Sequence, residues 1–220
     1  MAEKGFIFDM NGTMINDMVY HEEAWHKILT EKLGANLTRE QTKEQMYGKN
    51  EEMLIRVFGN NKFTLEEMHT LSMEKEKIYQ ANYFPHLKLI KGLDTFFENA
   101  FIENIPMAIG TAAIPFNVDF VLDNLNLRKF FKAIVTADDV AVSKPNPDVF
   151  LKCADLLKVK YENCIVFEDS PKGVEAAKNA GMKAVAITTY HSKEEFEQFE
   201  NVVYTIEDYS NSNLKGLLIY

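Results

Sequence analysis

Only two cysteines and one tryptophan occur in 220 residues, which leaves little for covalent or metal cross-linking. Cys153 and Cys164 both lie in apolar surroundings, and that suits buried thiols of a reducing compartment better than a disulfide or a zinc site. His69, His86 and His191 lack ligand-spaced partners, so no zinc centre is expected. Positive charge is also short: 24 Lys and Arg face 33 Asp and Glu, a net charge of −9. An acidic surface repels phosphate backbones and anionic headgroups, which argues against nucleic-acid and membrane-surface partners. No apolar run reaches membrane-spanning length, and the chain passes from Lys4 straight into a strand-like run without a leader's apolar segment. Repeats and low-complexity stretches are missing too. What is present is an ordinary globular composition, 46% hydrophobic and 26% charged, in a chain long enough for a substantial core. A cytoplasmic globular protein is expected.

Gly5-Phe6-Ile7-Phe8 is a short apolar run that ends at Asp9, with Asn11-Gly12-Thr13 behind it. An apolar run bounded by turn residues reads as a buried strand. The texture then changes, and from Asp17 to about His86 the spacing is helical. Trp25, Ile28, Leu29 and Leu33 share a stripe that Gly34 stops. Thr38 with Gln41 and Thr64 with Glu67 have the spacing of capping boxes, the second opening a helix through Met68, Leu71, Lys75 and Tyr79 towards Pro85. Glu66-Glu67 and Glu74-Lys75-Glu76-Lys77 read as solvated helix faces with local ion pairs. Beyond Gly92, strand-like Met107–Ile109, Ala133–Val135, Cys164–Phe167 and Ala184–Ile187 alternate with helical Phe116–Leu125, Asp148–Leu157 and Pro171–Ala180. That alternation predicts an α/β fold, a Rossmann-like parallel sheet flanked by helices. The core is expected over 1–15 and 88–220, with an α-helical cap inserted over 16–87.

Ligands of open α/β sheets bind beyond the carboxyl ends of the strands. Asp9, Thr111, Lys144 and Glu168-Asp169 follow four such ends. Three carboxylates beside one lysine leave excess negative charge, which a hard divalent cation such as Mg²⁺ would balance. A carboxylate can also attack phosphorus to give an aspartyl phosphate, and Mg²⁺, Lys144, the Thr111 hydroxyl and loop N–H groups could neutralise the phosphoryl oxygens. Each residue has a plainer reading. Asp9 could cap a helix, Glu168-Asp169 before Ser170-Pro171 could open one, Lys144 could be a solvated loop lysine and Thr111 a turn residue.

Taken together, Asp9-Met10-Asn11-Gly12-Thr13, Thr111, Lys144-Pro145 and Glu168-Asp169 resemble the four motifs of the haloacid dehalogenase superfamily. The helical insertion behind the first motif is similar to the small-cap, beta-phosphoglucomutase-like branch, as are Tyr20-His21-Glu22-Glu23-Ala24-Trp25 and Gly173 to Gly181. The likeness covers essentially the whole chain. It implies that Asp9 is the nucleophile and that Thr111 and Lys144 hold the phosphoryl group. It further implies that Asp9, the Asn11 carbonyl, Glu168 and Asp169 coordinate Mg²⁺. Gly12, Thr13 and Ala112 are candidate substrate contacts in the core, and His21, Gly48 and Lys49 in the cap, whose closure would exclude water. His21 has an equally good structural reading as a histidine on an amphipathic helix, and Gly48-Lys49 could simply separate two helices. The expected activity is that of a phosphatase on small phosphorylated metabolites such as sugar phosphates, working as a monomer.

The chain departs from the family pattern at Asn11, where the phosphatases carry a second aspartate that protonates the leaving oxygen and deprotonates water. An amide cannot transfer that proton, and losing general acid–base catalysis costs about 10²–10⁴ in rate. Three outcomes stay open: His21 or Asp17 takes over, the aspartyl phosphate is long-lived, or the chain is an inactive variant. Ala113-Ile114-Pro115 stands where the mutase has a serine-lysine-asparagine stretch, and Glu51, next to Lys49, stands where it has a cap arginine. Both changes weigh against a mutase.

Overall fold

The computed structural model describes residues 4–219. Phe6, Ile7 and Phe8 are fully buried, as expected of a strand covered on both faces, which needs apolar side chains pointing both ways. This strand, β1 (Gly5–Phe8), lies in a six-stranded sheet with β2 (Met107–Gly110), β3 (Phe131–Val135), β4 (Cys164–Glu168), β5 (Lys183–Ile187) and β6 (Val202–Ile206). The order is β3-β2-β1-β4-β5-β6, and every pairing is parallel. β6 is an addition to the strands read from sequence. Val202-Val203-Tyr204-Thr205-Ile206 is an edge strand with four of its five residues part-exposed or exposed, so it lacks the fully buried apolar run that marks the inner strands.

The chain leaves β1 for β2 on one side, and the later strands β4 to β6 fill the other. The reversal of strand order therefore falls between β1 and β4, where doubly wound sheets open a crevice at the strand ends. Phe8 lies level with Ile109 and with Phe167, so the chain leaves all three strands at the same height. On one face of the sheet Phe8 stacks on Phe167 at 4.5 Å and meets Phe97 edge-on at 5.1 Å. On the other, Ile7, Ala108 and Val166 pack with Phe150, Cys153 and Val174. Both cysteines are buried and unbridged, and burial pushes the Cys153 thiol's pKa up.

Asp17–Leu87 forms a second compact unit. Its helices are α1 (Met18–His26), α2 (Arg39–Gln45), α3 (Asn50–Phe58) and α4 (Leu65–Tyr83). α1 continues as a π-helical stretch, Lys27–Lys32, and Gly34 at φ +74° turns the chain away. Both capping boxes form: Thr38 Oγ1 accepts from Gln41 N at 3.2 Å, and Thr64 Oγ1 from Glu67 N at 3.2 Å. Trp25, Ile28, Leu29, Met53, Leu54, Met68 and Leu71 make the unit's core.

One expectation is corrected in α4. Lys75 and Glu76 are not on a solvated face; they are 2% and 3% exposed. For Lys75 the cause is the stripe itself, because Met68, Leu71, Lys75 and Tyr79 recur at helical spacing and whatever occupies that stripe goes inside. Among the described residues no helix is long and apolar enough to cross a membrane.

Candidate active site

Asp9 extends the ladder by one step, its N–H donating to the Phe167 carbonyl at 3.0 Å. The chain then turns at once, because the Met10 carbonyl accepts from the N–H groups of Thr13, Met14 and Ile15. Gly12 adopts φ +74° in this turn, and a β-carbon there would overlap the Asp169 carboxylate. Glycine is thus required twice at that position, once for the backbone and once for the space. Two hydroxyls fix the turn from the far end of the sequence. Thr189 Oγ1 donates to the Gly12 carbonyl at 2.5 Å, and Tyr209 OH donates to the Thr13 carbonyl at 3.0 Å.

At the end of β4, Asp169 Oδ1 accepts from Thr13 Oγ1 at 3.3 Å. Glu168 Oε2 accepts from Ser170 N at 2.7 Å and from Ser170 Oγ at 2.9 Å. Ser170 caps the helix Pro171–Asn179, and a β-carbon on Gly173 in its first turn would overlap the Glu168 carboxylate. Lys144 is buried between two of the acids, donating to Asp9 Oδ1 at 2.6 Å and to Glu168 Oε1 at 2.7 Å. Burial alone would lower the Lys144 pKa, but the Asp9 and Glu168 carboxylates outweigh it and hold the ammonium above the ordinary lysine value. Tyr209 stays a phenol, because burial first, and then the charges of Asp169, Asp9 and Glu168, raise its pKa well above the usual one.

Asp9, Glu168 and Asp169 each offer a carboxylate oxygen within 4.8 Å of the others. All three are buried, and three carboxylates against one ammonium leave net negative charge in a place where it is costly. Hard oxygen donors with uncompensated charge fit a divalent cation such as Mg²⁺.

The fold therefore gathers Asp9, Gly12, Thr13, Lys144, Glu168 and Asp169 of the expected residues, with half-buried Asn11 in the turn between them. Thr13 is fully buried and its hydroxyl faces Asp169, which makes it a support for that carboxylate. Thr111 and Ala112 follow β2, next to β1 in the sheet; the Thr111 Oγ1 accepts from Ala113 N at 3.1 Å. Ser170, Gly173, Thr189 and Tyr209 were not anticipated in these roles. Ser170-Pro171 carries a helix-opening signal, whereas Thr189 and Tyr209 act on partners 177 and 196 residues away and show no local one.

His21, Gly48 and Lys49 lie in the helical unit. There His21 stacks on Tyr79 at 3.7 Å, its Nδ1 faces Lys75 Nζ at 2.6 Å and its Nε2 faces Asp17 Oδ2 at 3.3 Å. Tyr79 OH donates to the same Asp17 oxygen at 2.5 Å, and Glu76 pairs with Lys75 at 3.0 Å. Burial lowers the Lys75 pKa, with Glu76 and Asp17 opposing. Gly48 adopts φ +78°, and Lys49 N donates to Glu52 Oε2 at 2.9 Å at the start of α3.

The sequence pattern of haloacid dehalogenase-like hydrolases matches residues 6–187. The fructose-1-phosphate phosphatase YqaB of Escherichia coli is 31% identical, over 83% of this chain and 95% of that protein. The beta-phosphoglucomutase of Bacillus subtilis is 32% identical, over 84% and 83%. A crystal structure described as a HAD hydrolase, family IA, variant 3, from Entamoeba histolytica superposes with a TM-score of 0.87 at 26% identity, covering 98% of this chain and 97% of that one.

Proposed function

The chain belongs to the haloacid dehalogenase-like hydrolases, and from that premise we propose that it is a Mg²⁺-dependent phosphohydrolase of small phosphorylated metabolites, sugar phosphates among them, working through an aspartyl phosphate on Asp9. The observation that carries this reading is the buried Asp9–Lys144–Glu168 arrangement at the point where the strand order reverses.

In this reading an Asp9 carboxylate oxygen attacks phosphorus. The bond from phosphorus to the leaving oxygen breaks, and the electron pair departs with that oxygen. Lys144, already seated on Asp9, neutralises phosphoryl charge, and the Thr111 hydroxyl with the N–H groups of the turn after Asp9 orients the group. Asp9, Asp169, Glu168 and the Asn11 carbonyl would hold Mg²⁺, which supplies charge stabilisation for the phosphoryl oxygens when bound. Glu168 has a second task, because Lys144 and Ser170 already bond both its oxygens and so fix the lysine in place. Water then attacks phosphorus, freeing phosphate and restoring Asp9.

Phosphate release from a panel of phosphorylated metabolites, with and without Mg²⁺, tests the reading beside Asp9→Asn. Mg²⁺-dependent release that falls at least about 10³-fold in Asp9→Asn is expected; undiminished release from the variant would remove Asp9 as nucleophile. A second reading, a phosphotransferase, is favoured by Asn11, because an amide gives water no help in clearing the aspartyl phosphate. The mutase form of that reading would show a bisphosphate requirement and an isomerised sugar phosphate.

A further inference from the structure

Several donors around Asp9 already have acceptors. Lys144 donates to Asp9 Oδ1 and Glu168 Oε1, Tyr209 OH to the Thr13 carbonyl, Thr13 Oγ1 to Asp169 Oδ1, and Thr189 Oγ1 to the Gly12 carbonyl. Asn11 adds an amide, which can donate a hydrogen bond and cannot give up its proton at neutral pH. Within the helical unit, Asp17 and His21 are engaged with side chains of that unit. Asp17 Oδ2 accepts from Tyr79 OH and faces His21 Nε2, while His21 Nδ1 faces Lys75 Nζ.

A phosphoryl group leaving an alkyl oxygen needs a proton in the transition state, whereas one leaving a carboxylate or another phosphate does not. Resting on the phosphohydrolase reading above, we propose that this chain's preferred substrates are mixed anhydrides, acyl phosphates foremost, and that Asp9 retains the phosphoryl group long enough to accumulate. In the first step an Asp9 oxygen bonds to phosphorus, the bond to the acyl oxygen breaks, and a free carboxylate departs with the electron pair. No proton is transferred, so the amide at Asn11 costs nothing there. In the second step water bonds to phosphorus and the Asp9–phosphorus bond breaks. The water's proton passes to the departing phosphate without help from position 11, which makes this step slow. A site with an aspartate there would serve both leaving groups; this one discriminates between them by what it lacks in acid–base chemistry.

The experiment compares acetyl phosphate with glucose 6-phosphate, using the full chain with Mg²⁺, as wild type, Asn11→Asp and Asp9→Asn. Acetate or glucose release is followed in the first turnover, and intact-mass and peptide spectra locate any phosphoryl group. Wild type is expected to release acetate in a burst and carry phosphate on Asp9, with glucose release slower by at least about 10²-fold. In Asn11→Asp that ratio is expected to shrink by about 10²-fold or more, and the labelled species to disappear. Thermal unfolding of each variant, and of Asn11→Ser as an alternative, establishes that the compared proteins are folded. Wild type that releases glucose as readily as acetate overturns the inference, since another group must then supply the proton, and leaves the phosphohydrolase reading standing. Activity on neither donor in wild type and Asn11→Asp alike, with Asp9 unlabelled, overturns both.

Discussion

Gly12 and Gly173 are held by what lies against them. A β-carbon on either would stand inside a carboxylate, Asp169 in one case and Glu168 in the other. Gly173 lies in the first turn of a helix, where alanine is intrinsically favoured by roughly 0.8–1 kcal/mol. Gly173→Ala is therefore expected to lose activity far out of proportion to any loss of stability, because the displaced Glu168 no longer fixes Lys144. Parallel kcat/KM, Mg²⁺ titration and urea unfolding would reveal this, and equal falls in activity and stability would contradict it. Tyr209 gives a complementary case. Its hydroxyl is the donor to the Thr13 carbonyl, while its ring packs beside Phe167 and Phe96. Tyr209→Phe keeps the ring and is expected to cost about 1 kcal/mol of unfolding free energy, together with weaker Mg²⁺ binding through the loosened turn. Unchanged Mg²⁺ affinity in that variant would separate the hydroxyl from the site.

Among the elements, helix starts are the most local features. Thr38/Gln41 and Thr64/Glu67 are written in the sequence as pairs three apart and fold as written; Thr64→Ala is expected to lower stability by about 1 kcal/mol in thermal unfolding. Thr136 and Asp139 make a similar pair after β3, where Asp139 Oδ2 accepts from Thr136 N at 2.9 Å and Oδ1 from Lys152 at 2.9 Å. The Thr136 N–H bond chiefly, with Lys152, holds the Asp139 pKa below the ordinary carboxylate value. A depressed folded pKa gives stability that is present above the unfolded value, about 3.9, and is lost as pH falls through the folded one. The stability gap between wild type and Asp139→Asn should therefore be full at neutral pH and close on acidification. A gap independent of pH would show that the charge contributes nothing. α4 is less local. Its stripe directs Lys75 inward and Glu76 stands beside it on the same helix, yet only the assembled unit supplies His21 and the Trp25 ring, 5.4 Å from Nζ, around it. Lys75→Met should cost about 3–5 kcal/mol, since it strands buried carboxylate charge.

At the scale of the whole molecule, the sheet brings together residues that the chain keeps far apart. Lys144 meets Asp9 across 135 positions and Glu168 across 24. The inner strands, the inserted helical stretch and the identity of Asp9, Lys144, Glu168 and Asp169 were legible by themselves, because buried strands and capped helices impose composition and period on short windows. Asn11 was legible too, as an amide where the family's phosphatases carry an aspartate. The edge strand β6, the inward turn of Glu76, and the grip of Thr189 and Tyr209 on the Gly12-Thr13 carbonyls were not. These depend on which surfaces meet after the chain has folded back on itself, and a hydroxyl looks the same in sequence whether it faces water or a carbonyl 196 residues away. Local spacing thus determined which groups the protein has for chemistry. Tertiary structure decided which are buried, what each bonds to, and so which protons and charges remain available at Asp9.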